Sequence, residues 1–157
     1  MLRTALVADA VGRSELLDPK VCDCCQTGAA ATRTGPVVVY RDRSDREIRD
    51  VAIVRRGGSG WTAPRRVHAD GWEIDGCPVN GPAIDARGNA VAVAWFSQEG
   101  NRPRVKVAFS SDAGASFGAP AVVDSSGPLG RVDVVLDENG DALVGWVAAE
   151  GKAGAIR

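Results

Sequence analysis

The sequence lacks several features that would place it in familiar functional classes. Its 19 Lys and Arg face 20 Asp and Glu, which leaves a formal net charge of −1, so the basic excess of a nucleic-acid-binding domain is missing. No window keeps a helical periodicity, and no apolar run is long enough to cross a membrane. Asp9 interrupts the apolar stretch between Met1 and Val11, so this segment lacks a signal-peptide core. We therefore expect no nucleic-acid partner, no membrane span and no signal peptide within this chain.

Turn-forming residues are, by contrast, abundant. The chain contains 19 Gly and 8 Pro. Its apolar runs are short, rich in Val and Ala, and bounded by turn residues, which is typical of short β-strands joined by tight turns. We therefore predict an all-β fold.

One turn carries a specific motif, SSDAGASF, which runs from Ser110 to Phe117. The carboxylate of Asp112 can accept backbone N–H groups of its own turn, and Gly114 supplies a positive φ that other residues resist. We expect Phe117 to be the first buried residue of the outgoing strand. The motif resembles the Asp-box of sialidase-like β-propellers, the bacterial neuraminidase repeat family. This resemblance implies an architecture rather than an activity, because the turn occurs in many unrelated proteins.

The motif belongs to a longer internal repeat. The stretch that begins at Trp61 matches the stretch that begins at Phe117, 56 residues later. Tyr40, Trp95 and Trp146 end matching apolar segments and are separated by 55 and 51 residues. A period near fifty residues, with several short strands in each unit, is typical of propeller blades. We therefore predict a single repeat domain of β-propeller type, built from four-stranded antiparallel blades.

The repeat assigns each predicted strand to a blade. Residues 22–75 form one complete blade, with strands at Gly28–Thr32, Pro36–Arg41, Glu47–Arg55 and Pro64–His68. Residues 76–129 form a second, with strands at Pro82–Asp85, Ala90–Phe96, Arg104–Ser110 and Ala119–Val123. Residues 1–21 supply two outer strands of an incomplete blade, at Arg3–Val7 and Ser14–Leu17. Residues 130–157 begin another incomplete blade, with strands at Asp133–Leu136, Ala142–Val147 and Gly154–Arg157.

About three blades' worth of sequence is fewer than the usual four to eight blades of a propeller. The chain is therefore expected to be either part of a longer propeller or one half of a six-bladed homodimer. In the dimer, two copies would exchange terminal strands and so cover sheet edges that otherwise promote aggregation.

The four cysteines form two matching groups. Cys22, Cys24 and Cys25 lie in the sequence CDCCQT, and Cys77 lies in GCPVNGP. Each group precedes the predicted innermost strand of a blade, so the two groups are expected to meet. A disulfide would join Cys77 to Cys24 or Cys25, because a bond between the two adjacent cysteines would be strained. The alternative is a site for Zn²⁺ or Cu⁺ made from these cysteines and His68; no other cofactor is expected.

The words CDCCQT and GCPVNGP are also similar to those of an uncharacterised bacterial group of sialidase-like proteins. This resemblance covers nearly the whole chain. It implies a propeller and an exported parent protein, located in the periplasm or outside the cell, but no established reaction.

The predicted blade geometry places many polar residues on one face with the cysteines, opposite the Asp-box. Converging arginine, carboxylate and tryptophan side chains are what a small polar or anionic ligand, including a carbohydrate, requires. The candidate ligand-binding residues are Arg41, Asp42, Arg43, Arg49, Asp50, Asp70, Trp72, Asn80, Arg131 and Asp133, with Asp75, Gln98, Glu99 and Arg102 on the same face. Taken singly, each also has an ordinary structural interpretation, such as a solvated hairpin or a packing role.

The resemblance to sialidases raises the question of hydrolysis. Such enzymes use an arginine triad for the substrate carboxylate and a tyrosine nucleophile. Tyr40, the single tyrosine, is predicted inside a strand, and no Arg-Ile-Pro motif is present. We therefore predict a ligand-binding module without hydrolytic activity of its own. The alternatives are a sialidase-like glycoside hydrolase completed by absent blades or a partner subunit, and a propeller that binds metal through its thiols.

Overall fold

The structure is a computed structural model that describes residues 1–150 and 153–156. Within these residues it consists of antiparallel strands and one 3₁₀ turn, Glu99–Asn101, so the all-β prediction is confirmed. The strands are β1 (Leu2–Thr4), β2 (Glu15–Asp18), β3 (Gly28–Thr32), β4 (Gly35–Arg41), β5 (Val51–Gly57), β6 (Gly60–Trp61), β7 (Arg65–Arg66), β8 (Ala83–Arg87), β9 (Ala90–Ser97), β10 (Arg104–Ser110), β11 (Ala121–Asp124), β12 (Pro128–Leu136), β13 (Ala142–Glu150) and β14 (Ala153–Ile156). In the described part of the chain, no helix is long and apolar enough to span a membrane.

The strands form four sheets that follow one another along the chain. β1 pairs with β2, and β3, β4 and β5 form a second sheet whose outer strand is split into β6 and β7. The third sheet has the order β8–β9–β10–β11, and the fourth has the order β12–β13–β14. Neighbouring strands are thus close in sequence, as hairpin connections allow in antiparallel sheets.

Most strands lie where the sequence predicts them, with two differences at the face that bears the cysteines. The strand expected at Glu47–Arg55 begins only at Val51, because the residues before it pair with the loop around Trp72. The strand expected at Asp133–Leu136 begins earlier, at Pro128. Of the last expected strand, Arg157 lies outside the described residues.

The hydrophobic core explains the alternation of large and small residues in β9. Val91, Val93 and Trp95 pack in the core shared with the second sheet. Ala92 and Ala94 pack in the core shared with the fourth sheet. Because successive side chains of a strand alternate between faces, the third sheet is covered on both sides. Fully burying each Val contributes roughly 1.5–3 kcal/mol.

The first strands of the last three sheets lie side by side. β3 packs on β8, and β8 packs on β12. The Arg33 N–H donates to the Gly88 carbonyl at 2.8 Å, and the Arg87 Nε donates to the Leu136 carbonyl at 2.8 Å. These bonds join consecutive sheets at their inner strands.

A hydrogen bond between an aromatic side chain and an aspartate recurs between consecutive sheets. The pairs are Tyr40 Oη to Asp18 Oδ2 at 2.6 Å, Trp95 Nε1 to Asp70 Oδ2 at 2.6 Å, and Trp146 Nε1 to Asp124 Oδ2 at 2.7 Å. In each pair the donor lies in the second strand of a sheet, and the aspartate lies in or just after the outer strand of the preceding sheet. The three donors are the aromatic repeat positions found in the sequence.

Candidate functional site

Loops from two consecutive sheets form the cysteine-bearing face, which comprises the β4–β5 loop and the loops that precede β3 and β8. The Arg49 N–H donates to the Trp72 carbonyl at 2.8 Å, and the Ile74 N–H donates to the Glu47 carbonyl at 3.1 Å. The Cys22 N–H donates to the carbonyl at the end of β4 at 3.0 Å. These backbone bonds hold the three loops together.

Cys24 and Cys77 form a disulfide across these loops. Their Cα atoms are 6.2 Å apart, and 53 residues separate them in sequence, which agrees with the usual Cα spacing of a disulfide. The prediction that Cys77 bonds to Cys24 or Cys25 is therefore confirmed, with Cys24 as the partner. The bond links the loop before β3 to the loop before β8.

Cys22 and Cys25 remain thiols beside the disulfide. The Cys22 sulfur lies 3.0 Å from the Cys25 sulfur and 3.5 Å from the Cys24 sulfur. Burial, and then the neighbouring Cys22, raise the pKa of Cys25 to about 11, so this group is protonated at neutral pH. The predicted metal-ligand set comes together only in part, because the Nδ1 of His68 lies 2.7 Å from the Oδ1 of Asp70 instead.

A cleft of about 310 Å³ opens beside the disulfide, at the lower end of the size range of small-molecule sites. Its wall combines cationic, anionic and sulfur-bearing side chains. The lining residues are Cys22, Asp23, Cys24, Arg43, Arg49, Asp75, Gly76 and Cys77. Two of the predicted ligand-binding arginines, Arg43 and Arg49, are therefore brought together here.

Glu47 holds both arginines of the cleft. Its carboxylate accepts two bonds from Arg43, from Nε and from Nη2, at 3.1 Å each, and a third from Arg49 Nη2. Arg49 is 2% exposed, and its Nε has no hydrogen-bond partner among the described residues. A buried donor without an acceptor costs free energy. The Arg49 Nε is therefore a buried, unsatisfied donor behind the wall of the cleft.

Arg41 lies beneath the cleft rather than in it. Its buried guanidinium donates to three carbonyls, those of Asn80 at 2.6 Å, Arg49 at 2.5 Å and Phe96 at 2.7 Å. Its Cζ also lies 4.9 Å from the ring centre of Trp72. Burial lowers the pKa of this guanidinium. Arg41 therefore ties the loops together from inside.

Asp70 is the centre of a buried polar cluster. Its carboxylate accepts from Trp95 Nε1 and Lys106 Nζ at 2.6 Å each, in addition to its contact with His68. Burial alone would raise the pKa of Asp70, but the hydrogen bonds from Lys106, Trp95 and His68 lower it overall. Asp70 and His68 therefore have partners within the protein.

Asp42 and Asp50 lie at the two ends of the β4–β5 loop. Asp42 Oδ1 accepts from the Arg43 N–H at 2.7 Å, and Asp50 Oδ1 accepts from the Gly71 N–H at 2.9 Å. Burial raises the pKa of both carboxyl groups. Asp50 Oδ2 is buried without a hydrogen-bond partner in the part of the chain that the structure describes, and Arg66 Nε lies 3.8 Å from it.

A second groove, of about 430 Å³, adjoins the cleft at Cys77. Trp72 and Phe96 line it and pack edge to face, with ring centres 5.5 Å apart. Asn80 also lines it, but its Oδ1 accepts from the Arg131 N–H at 2.9 Å. Because Trp72 is 5% exposed, it forms the floor of the groove.

Arg131 and Asp133 do not line the cleft. Both lie in β12, where exposed and buried side chains alternate, and both are exposed. Asp133 borders a separate depression on the fourth sheet, together with Val135 and Leu143. The sequence predicts a strand that begins only at Asp133, which leaves Arg131 in the preceding loop. In the structure the strand already begins at Pro128.

The Asp-box closes its own turn at the opposite end of the sheets. Asp112 Oδ1 accepts from the Ser116 N–H at 2.8 Å and from the Ser110 hydroxyl at 2.7 Å, as the motif predicts. Hydrogen bonds from Ser116 and then Ser110 lower the pKa of Asp112 to about 2. The carboxylate is exposed, so these bonds form at the surface.

Gly114 and Phe117 fasten this turn to the second sheet. Gly114 has a φ of 78°, and an added Cβ would lie 2.7 Å from the side chain of Ile53. Phe117 is half-buried against the main core. It precedes the outgoing strand, which begins at Ala121 rather than at Ala119, because the chain first closes the turn.

Backbone strain occurs at the cysteine-bearing face and also outside it. Among the described residues, the positive-φ non-glycine positions are Glu47, Val79, Asn101, Ala113 and Arg131. Glu47 and Val79 lie in the loops of this face, and the Arg131 N–H donates to Asn80 in one of them. Val79, with a φ of 52°, is notable because β-branched residues resist this region. Such strain persists only where the surrounding structure enforces it, which is common at binding sites.

Three residues of these networks, Asp18, Asp124 and Lys106, were not predicted from the sequence, whereas Asp70 was predicted as a ligand-binding residue. Asp18 and Asp124 each precede their aromatic partner by 22 residues, and Asp70 precedes Trp95 by 25, so the repeat contained a signal for these aspartates. The sequence gives no corresponding signal for Lys106, because the sequence of a strand does not show which of its polar side chains is buried.

No protein-family model matches this chain, and no curated protein matches it. Its fold and site define an all-β antiparallel protein with a disulfide-bridged polar cleft.

Proposed function

We propose that the protein is a propeller-type module of the sialidase-like Asp-box class that binds a small polar or anionic ligand, including a carbohydrate. The ligand would occupy the cleft between the Cys24–Cys77 disulfide and the β4–β5 loop. The observation that carries this proposal is that Arg43 and Arg49 line one cleft together with Asp23 and Asp75.

The arrangement of the sheets supports a propeller. The inner strands β3, β8 and β12 are neighbours, and each sheet extends from its inner strand to an outer one. The recurring bond between an aromatic donor and an aspartate of the preceding sheet gives consecutive units the same junction. Repeated units with repeated junctions are what a radial array of blades requires.

The charges of the cleft favour a ligand with both hydroxyl and acidic groups. Arg43 and Arg49 place two positive charges in the wall, which attract a carboxylate or sulfate, and such a group would compete with Glu47 for the donors of Arg43. Asp23 and Asp75 offer acceptors for hydroxyl groups on the same wall. A mixed wall of this kind suits an acidic sugar better than a simple anion.

Hydrolysis is not part of the proposal. Tyr40 lies in β4 and is 1% exposed, and its hydroxyl donates to Asp18 Oδ2 at 2.6 Å. Burial, and then this hydrogen bond, raise its pKa far above the ordinary value. The single tyrosine of the chain is therefore poorly suited to act as a nucleophile in the cleft.

The disulfide supports a location outside the cytoplasm. Such bonds persist in oxidising compartments and are rare where thiol reductants are abundant. Cys24–Cys77 links two separate loops and so contributes to the site itself. We therefore place the parent protein in the periplasm or outside the cell.

The proposal is tested by titrating the protein with N-acetylneuraminic acid and, separately, with sulfate, followed by amide chemical shifts. We expect the acidic sugar to shift Gly76, Asp75 and the β4–β5 loop. Arg43→Gln should weaken binding about tenfold or more, because a charge-assisted bond contributes about 1.5–3 kcal/mol. Arg33→Gln, an exposed arginine at the Asp-box end, is the matched control and should bind normally. Shifts confined to the Asp-box end, or equal affinity of both variants, would reject the cleft.

A further inference from the structure

We propose that Cys22 and Cys25 form a two-thiolate site for a soft monovalent cation, Cu⁺ or its analogue Ag⁺, while the Cys24–Cys77 disulfide stays intact. This site goes beyond the polar-ligand function and does not depend on it. Both residues are thiols in the structure, and the sulfurs of Cys22, Cys24 and Cys25 all lie within 4.8 Å of one another.

The local geometry presents the two thiols together. The N–H of Cys22 donates to the Arg41 carbonyl at 3.0 Å, which fixes this residue at the end of β4. Cys25 is half-buried, and its sulfur accepts a hydrogen bond from the backbone of Asn80. The two sulfurs are 3.0 Å apart. Two metal–thiolate bonds of about 2.3 Å each require a separation of up to about 4.6 Å, which a rotation of the Cys25 side chain away from Cys22 would provide.

The charge of the surroundings selects a monovalent ion. Arg41 is buried, and its hydrogen bonds go to neutral carbonyls. The charged groups that act on it are Cys25 and Cys22 first, and then Asp70 and Asp50. Two thiolates with one monovalent cation carry a net charge of −1, which would offset that guanidinium. Buried charges are stable only when they are paired. A divalent ion would leave the site neutral and would not offset the positive charge of the Arg41 guanidinium.

Coordination number points the same way. Zn²⁺ normally takes four ligands, whereas Cys24 and Cys77 have no thiolate to give while they are bonded to each other. Soft thiolates favour Cu⁺ among the metals of biology. On binding, each thiol loses one proton and each sulfur forms one bond to the ion. Two protons are released to solvent, and nothing is oxidised or reduced.

The experiment uses Ag⁺, which does not change oxidation state, with the full chain in its disulfide-bonded form. We expect one Ag⁺ per chain by native mass spectrometry and about two protons released in an unbuffered titration. Bound Ag⁺ should protect both thiols from N-ethylmaleimide. Zn²⁺ should not bind stoichiometrically at the same concentration.

Cys22→Ser and Cys25→Ser should each abolish the tight one-to-one binding. Because Cys22 is buried, Cys25→Ala at the half-buried position provides a second variant that should fold normally. The variant Cys24→Ser with Cys77→Ser is the control: it removes the disulfide but should still bind one Ag⁺. The proposal fails if Ag⁺ binds equally to the Cys22 and Cys25 variants, if Zn²⁺ binds more tightly than Ag⁺, or if the oxidised protein has no thiols to alkylate because Cys22 and Cys25 have formed a second disulfide.

Discussion

The two ends of the sheets are built in different ways. At the Asp-box end, the turn satisfies itself: Asp112 bonds to Ser110 and Ser116, which are two and four residues away. At the cysteine-bearing face, the important bonds span large distances in sequence. Arg41, for example, donates to carbonyls 39 and 55 residues away, those of Asn80 and Phe96. One end is therefore specified locally and the other by tertiary structure.

Backbone strain and unfilled polar groups occur at both ends. Among the residues described, Val79 is in the left-handed region at the cysteine-bearing face, and Arg49 Nε and Asp50 Oδ2 lack partners there. At the Asp-box end, Ala113 is in the left-handed region and the buried Asn89 Oδ1 lacks a partner. Strain and unsatisfied groups lower stability. Both ends therefore carry such costs, and what distinguishes the cysteine-bearing face is that its strained and unfilled groups lie in long-range loops rather than in one short turn.

Removing the disulfide should have the largest effect on stability. Cys24→Ser with Cys77→Ser opens a loop of 53 residues, and closing such a loop contributes about 4 kcal/mol in the chain-entropy model. We therefore expect the free energy of unfolding, measured with urea, to fall by about this amount. The matched control is Cys22→Ser with Cys25→Ser, which leaves the disulfide in place. Equal losses in the two double variants would mean that the cysteine-bearing face does not depend on the disulfide.

Trp95→Phe should have an intermediate effect on stability, and its comparison with Trp146→Phe tests two copies of the same junction. Trp95→Phe leaves the buried carboxylate of Asp70 without one of its donors, which lowers the free energy of unfolding by about 2 kcal/mol. Trp146→Phe removes the corresponding bond to Asp124 at a half-buried position, and we expect about 1 kcal/mol. Urea unfolding of both variants measures the difference. Equal losses would show that burial at the Asp70 cluster does not strengthen this junction.

The sequence predicts what depends on local pattern. β3 and β10 have the predicted bounds, and β9 is longer than predicted by one residue, because turn residues and alternation determine where a strand begins and ends. The repeat also predicts that Cys24 or Cys25 meets Cys77, since equivalent positions of consecutive units are neighbours.

The sequence could not predict which way a polar side chain of the site turns. Arg41 and Arg43 are two residues apart, yet Arg41 is buried under three carbonyls whereas Arg43 lines the cleft. The choice depends on loops more than thirty residues away, and no local pattern encodes it. Arg131 was predicted in a loop, whereas β12 continues back to Pro128 through register shifts on both sides of Gly130, and the sequence carries no local signal for such irregular pairing.

Asp112→Ala should have the smallest effect, because its bonds are local and exposed to water. We expect the free energy of unfolding to fall by about 1 kcal/mol at neutral pH, since water can replace part of the hydrogen bonding that the carboxylate provides.

The pKa of Asp112 is lowered to about 2 in the folded protein, against about 3.9 in an unfolded chain. A lowered folded pKa stabilises the protein above the unfolded value, and this contribution is lost as the pH falls through the folded value. The difference between wild type and variant should therefore be constant above about pH 5 and should shrink towards pH 2. Ser111→Ala, at an exposed neighbour, is the control and should leave stability unchanged. If Asp112→Ala lost affinity for N-acetylneuraminic acid and kept normal stability, this would contradict the claim that the ligand binds at the cysteine-bearing face while the Asp-box only stabilises its turn.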